Sequence, residues 1–197
     1  MWLPPGSELI AHWAASRRLS YVAHPDEAWF RQWEPYATIT PPAAYYNACT
    51  WTAPAGHACI VEPWYAPEGE PPLERALMGF AVHGGITVRA AARVGEHFLT
   101  RVVFLEGPPP IPVKIGDPTW DERAATFATS PEVAAAAFHP RLRRLLAKRG
   151  FQGHIELRAR GGLVVHVAGL LPTPAGYEQM LAAVREIVET AVAPGFR

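Results

Sequence analysis

Residues 174–191, "PAGYEQMLAAVREIVETA", constrain the fold more than any other stretch. Tyr177, Met180, Leu181, Val184, Ile187, Val188 and Ala191 recur at three- and four-residue intervals, which makes one apolar stripe along an α-helix. Thr173 followed by Pro174 supplies the start signal, a capping hydroxyl and then a first-turn proline. A helix with a single apolar stripe must bury it against another element. The preceding segment, "GHIELRARGGLVVHVAGL", offers that element, because it reads as a β-hairpin. A two-residue turn at Gly161-Gly162 would oppose Leu157 to His166 and Arg158 to Val165, which mixes the faces. A three-residue loop, Arg160 to Gly162, opposes Ile155, Leu157 and Ala159 to Val167, Val165 and Leu163. That gives one clean apolar face, so it is the expected register, with Glu156 opposite His166 on the polar side.

The rest of the chain reads as further helices and strands. Ser7 is the expected N-cap of a helix to about Arg18, burying Leu9, Ile10, Trp13 and Ala14. "HPDEAWFRQWEP" reads as a short helix with Trp29, Phe30 and Trp33 inward. "YYNACTWTAPAGHACIVEPWY" reads as a hairpin around "APAG", and "LERALMGFAV" (73–82) leans to helix. "GGITVRAAARVGEHFLTRVVFLE" reads as two strands turning near Val94-Gly95, apolar on both faces and therefore central in a covered sheet. The proline-rich 107–116 is the expected boundary if the chain divides; otherwise residues 1–197 form one domain. A strand centred near Phe127 and a helix opening at Ser130-Pro131 follow. That helix should pause at His139-Pro140, resume as "RLRRLLAKR" and stop at Gly150. The fold class is α+β: an antiparallel sheet with several packed helices, including the amphipathic C-terminal one.

Composition narrows the function classes. Of 197 residues, 49% are hydrophobic and 18% charged, enough apolar material for a sizeable core. Lys+Arg and Asp+Glu both number 18, so the chain lacks the positive excess of a nucleic-acid binder. Arginine dominates the cations, Lys114 and Lys148 being the lysines, and with abundant Ala, Pro and Gly this suggests a GC-rich bacterial genome. The opening "MWLPPGSELIAHW" does not read as a secretory signal, and no apolar run reaches membrane-spanning length, so the expected location is cytoplasmic.

Four groups of residues have the types that can carry chemistry. Cys49, His57 and Cys59 offer three soft ligands across a hairpin, the basis for a metal- or thiol-dependent enzyme, although the paired C-x2-C anchor is absent. Their plain structural role is two small buried residues and a histidine at a strand start. Arg141, Arg144 and Lys148 lie along one face of the 141–149 helix and suit a phosphate backbone, or equally the solvated face of an amphipathic helix. His154-Ile155-Glu156 has the H-x-E order of zinc deaminases but lacks their P-C-x-x-C. Asp117, Asp121 and Glu122 crowd around Trp120, with Arg123 beside them to keep an acid charged, which fits a turn better than a catalytic pair. No G-x-S-x-G, Walker loop, G-x-G-x-x-G or H-E-x-x-H occurs in the sequence, and no cofactor is implied.

"GDPTWDERAATFATSPEVAAAAFHPRLRRLL", followed by the hairpin with "GGLVVHV", resembles a segment of bacterial domain-of-unknown-function proteins. Asp117, Trp120, Asp121, Phe127, Leu142, Leu145 and Leu146 carry the resemblance, over roughly the second half of the chain. It departs in having Trp120 before the second aspartate and an alanine-rich strand. The resemblance implies a fold segment and transfers no catalytic residue. With no enzyme motif in the sequence and many large apolar residues, seven tryptophans among them, the expectation is a non-catalytic interaction or scaffold domain that binds a protein partner or itself, with Trp51, Trp64 and Tyr65, together with Trp2, as candidate surface residues.

Overall fold

The computed structural model describes residues 2–34, 42–53, 56–65, 74–75, 77–95 and 109–192. Their order is α1 (Ser7–Ser16), β1 (Ser20–Val22), α2 (Glu27–Arg31), β2 (Ala44–Ala53), β3 (Gly56–Tyr65), β4 (Glu74–Arg75), β5 (Met78–His83), β6 (Ala90–Val94), β7 (Ile111–Val113), α3 (Pro118–Asp121), β8 (Ala124–Ala128), α4 (Pro131–Ala137), α5 (Pro140–Lys148), β9 (Gly153–Arg158), β10 (Gly162–Val167) and α6 (Pro174–Ala191). One antiparallel sheet runs β1-β2-β3-β5-β10-β9-β6-β8-β7, with β4 also paired to β3. The fold is α+β, as the patterning requires. Residues 111–113 of the proline-rich connector pair with β8, so strands from both sides of it share the sheet.

The pleat sends alternate residues to opposite faces, and each face has its own core. On one face Ile60, Ala81, Ile155, Leu157, Leu163 and Val165 pack under α6, α1 and the α4–α5 segment. Tyr177, Met180, Leu181, Val184 and Ile187 are the buried stripe of α6, and Thr173 Oγ1 accepts the Gly176 N–H as its cap. On the other face Phe30 and Trp33, in α2 and just after it, cover Tyr45, Cys59, Val61, Met78, Phe80 and Val164.

Several expectations are corrected. Residues 73–82 are not helical where described: Met78–His83 is a strand between β3 and β10. Leu, Glu, Ala and Met favour helix locally, but burial on both faces in mid-sheet overrides that preference. At Gly79 a Cβ would stand 2.2 Å from Val184 Cγ2, so the bare backbone is what lets α6 sit down. The β9–β10 loop has three residues as expected, but they are 159–161: Arg158 pairs with Gly162, Leu157 with Leu163 and Glu156 with Val164, not His166. The third loop residue needs a left-handed backbone, and Gly161 supplies it at φ +85°. Gly162 is fixed in the strand, where a Cβ would meet Trp33 Cζ3 at 2.7 Å. At α1 the cap position is Gly6, in a left-handed conformation, and Ser7 is buried with its hydroxyl on the Pro4 carbonyl. Leu9 faces outward, 64% exposed. The cap of α2 is Asp26, whose side chain accepts the Ala28 N–H. The second strand expected within 84–106 falls outside the described residues; the first is β6, ending at Gly95 with φ +88°.

Candidate functional site

The residues singled out in the β2–β3 hairpin do not converge. Cys49 belongs to the α6-side core and Cys59 to the α2-side core. Burial alone pushes the Cys49 thiol up to about 12, and burial first of all pushes Cys59 up as well, so both resist forming a thiolate. His57 is exposed and its ring lies edge-on to Trp29 at 5.9 Å. Among the described residues no group of three or more His, Cys, Asp or Glu could hold a metal ion. The tryptophans separate too. Trp51 lies beneath the Arg185 guanidinium of α6, 5.5 Å from its ring centroid, and Tyr65 sends its hydroxyl toward Met78 Sδ.

Trp64 leads to a different surface. Its ring packs edge-on against Trp2 at 5.1 Å, Trp2 meets Tyr46 at 5.6 Å, and Tyr46 meets His24 at 5.4 Å. Trp64 is 8% exposed and Trp2 57%, so one ring anchors and the other projects. The anchor has a cause in the backbone. Asn47 adopts φ +55° at the register shift between Tyr46 and Cys49, a β-bulge that frees its side chain from the ladder. Asn47 Nδ2 then donates to Glu62 Oε2 at 2.9 Å, and Trp64 Nε1 donates to Glu62 Oε1 at 2.6 Å. The Tyr21 hydroxyl donates to Asn47 Oδ1 and the Tyr177 hydroxyl to the Asn47 carbonyl. Val22, in the edge strand that leads to His24, and Leu3 are also exposed.

A buried ionic group occupies the other half of the sheet. His154 and Glu156 share a face because they are two apart on β9. The H-x-E order in the sequence is thus a direct contact: His154 Nε2 donates to Glu156 Oε1 at 2.8 Å, while Arg158 Nη2 donates to Glu156 Oε2 at 2.7 Å. Burial pulls His154 below the usual histidine range, against its bond to Glu156. Burial works to raise Glu156, but its bond to His154 and the charges around it win, and its pKa falls. Arg93 stands across from His154 on β6; burial lowers it to about 10, so it stays cationic at neutral pH. Arg158 also covers the Trp33 ring at 5.7 Å, joining this group to α2. Both carboxylate oxygens of Glu156 are held by neighbours, which is the wiring of a structural network and not of a poised acid–base pair.

On α5, Arg141, Arg144 and Lys148 are exposed as the spacing predicts, and they have no ion pair among the described residues. Arg149 is bound to Glu186 of α6 at 2.8 Å. The acids around Trp120 close loops: Asp121 accepts the N–H groups of Ile115 and Gly116, and Asp117 caps α3 at Trp120 N. Sequence reasoning missed Glu62, Asn47, Tyr46 and Arg93. A glutamate inside the apolar run "ACIVEPWY" was the available signal for Glu62.

No family model matches the chain, and no curated protein matches it. Among solved structures it is similar to the mycobacterial trehalose monomycolate transport factor A, with a TM-score of 0.62 at 13% identity, over 97% of each chain. At that identity the likeness establishes a shared α+β architecture over nearly the whole length of both.

Proposed function

We propose that this chain is a non-catalytic bacterial interaction domain, one α+β unit across its length, acting in the cytoplasm. It engages a protein partner or a second copy of itself through the sheet end where Trp2 stands over Tyr46 and Trp64. The observation that carries this reading is the contrast between a projecting Trp2, 57% exposed, and a Trp64 pinned to buried Glu62. A large aromatic held in place before binding loses little freedom on docking, the property of interface hot spots. The fold likeness to a transport factor supports an accessory role over an enzymatic one.

The test is light scattering across a range of concentrations, paired with affinity capture from the native cell, for the intact protein and Trp2→Ala. Concentration-dependent association, or a partner that Trp2→Ala loses, is expected. A monomer at every concentration whose captured proteins are unaffected by Trp2→Ala would overturn it.

A further inference from the structure

Residues 141–149, in α5 and its C-cap, hold Arg141, Arg143, Arg144, Lys148 and Arg149 and no acid, in a chain where Lys+Arg and Asp+Glu both number 18. Arg144 and Lys148 stand one turn apart, and like charges at that spacing repel. A neighbouring acid answers Arg149, and another answers Arg143, but Arg144 has none among the described residues. Arg144 instead lines a small cleft between α3 and α5 with Arg123, Arg143, Asp117, Thr119 and Trp120. Three arginines therefore line the cleft with one carboxylate residue. Arg143 Nη1 donates to the Phe138 carbonyl at 2.7 Å, which fixes that side chain. Its buried Nε lies 3.0 Å from Asp117 Oδ2 but is not aimed at it, so this donor has charge compensation without a hydrogen bond. The Arg123 contact to the Phe151 carbonyl is long, at 3.5 Å.

We propose that this cleft binds a phosphate-class oxyanion, held by Arg123, Arg143 and Arg144. Asp117 carries a single negative charge, and it already compensates Arg143. A tetrahedral dianion presents oxygens to several forks at once and offsets the two cations that Asp117 leaves uncompensated. The site lies apart from the aromatic cluster at Trp2 and does not depend on it. The phosphate has two possible carriers, a soluble phosphomonoester or a lipid headgroup, and the chemistry of the cleft is the same for both.

The experiment is calorimetric titration of the full chain with inorganic phosphate at low ionic strength, for the intact protein, Arg123→Gln, Arg144→Gln and Arg17→Gln. Arg17, the C-cap of α1, pairs with Glu178 of α6 and serves as the matched charge loss elsewhere. One saturable site is expected, about tenfold weaker in each cleft variant and unchanged in Arg17→Gln. Thermal melts of the variants confirm that they fold. In parallel, sedimentation with phosphatidylcholine vesicles with and without phosphatidic acid identifies the carrier. Cleft-dependent binding to the acidic vesicles assigns a lipid headgroup, and phosphate binding without it assigns a soluble ligand. Absence of saturable phosphate binding, or an equal loss in Arg17→Gln and the cleft variants, overturns the proposal.

Discussion

Glu156 is fully buried on β9, and its two carboxylate oxygens are divided between His154 on one side and Arg158 on the other. Removing its charge strands the Arg158 guanidinium, which is itself largely enclosed against Trp33. Glu156→Gln should therefore cost about 3–5 kcal/mol, the usual consequence of breaking one side of a buried ion pair. Urea unfolding would show this as a lower midpoint, and a midpoint within error of the parent would refute the structural role of the network.

The same network makes stability depend on pH. His154 Nδ1 is buried with no hydrogen-bond acceptor, so the neutral ring fits and a second ring proton does not. His139 is also depressed, chiefly by burial, and its Nδ1 accepts the Leu142 N–H that caps α5. For both, the unfolded chain takes up protons that the folded chain refuses as pH falls through about 6.5, so the folded state loses ground there. Glu156 adds a second loss in more acidic solution, below the unfolded carboxylate pKa of about 4.3, because its folded pKa lies lower. The melting temperature should fall as pH goes from about 7.5 to about 5.5, and His154→Gln should flatten part of that slope. A slope identical in the variant would show that His154 does not titrate on unfolding.

Gly79 shows why residues 73–82 could not be read from their own composition. What decides the strand is Val184, more than a hundred residues away, resting where a Cβ would be. Gly79→Ala should destabilise by about 1–3 kcal/mol through overpacking. Val184→Ala alone makes a cavity, but combined with Gly79→Ala it should recover part of the loss, a coupling that a double-mutant cycle measures. Strict additivity would mean that the two sites are not in contact.

The legible parts of the chain were those whose partners lie nearby or whose period is long. The α6 stripe, the three-residue length of the β9–β10 loop, the Ser130 cap and the α5 stop at Gly150 (φ +59°) all depend on local spacing and turn chemistry. The placement of that loop was missed because Trp33, not the hairpin, fixes Gly162. The aromatic surface was half legible. Trp64 and Trp2 stand out in the sequence, but the bulge at Asn47 and its bond to Glu62 join residues 15 apart, and no periodicity announces them.

The two thiols offer a direct check on the hairpin. Cys49 is held near 12 by burial and Cys59 is raised further, so neither carries appreciable thiolate at neutral pH. Both should be inert to a disulfide reagent in the native protein and react rapidly once denaturant is added. A thiol that reacts within the mixing time of the native sample would mean that β2 and β3 open far more readily than their central packing implies.

Asp121 closes the loop that delivers β7 to the sheet edge. Its Oδ1 accepts Ile115 N at 3.0 Å and its Oδ2 accepts Gly116 N at 2.9 Å, so the carboxylate does for this turn what a cap does for a helix. Alanine removes both acceptors, and asparagine leaves one oxygen where two are needed. Each bond carries ionic character, so Asp121→Ala should cost about 1.5–3 kcal/mol and Asp121→Asn roughly half of that. The loss should appear in thermal melting and in faster amide exchange at Ile115 and Gly116. If both variants keep the parent melting temperature but lose binding to a partner, the acid belongs to a functional surface and not to the fold.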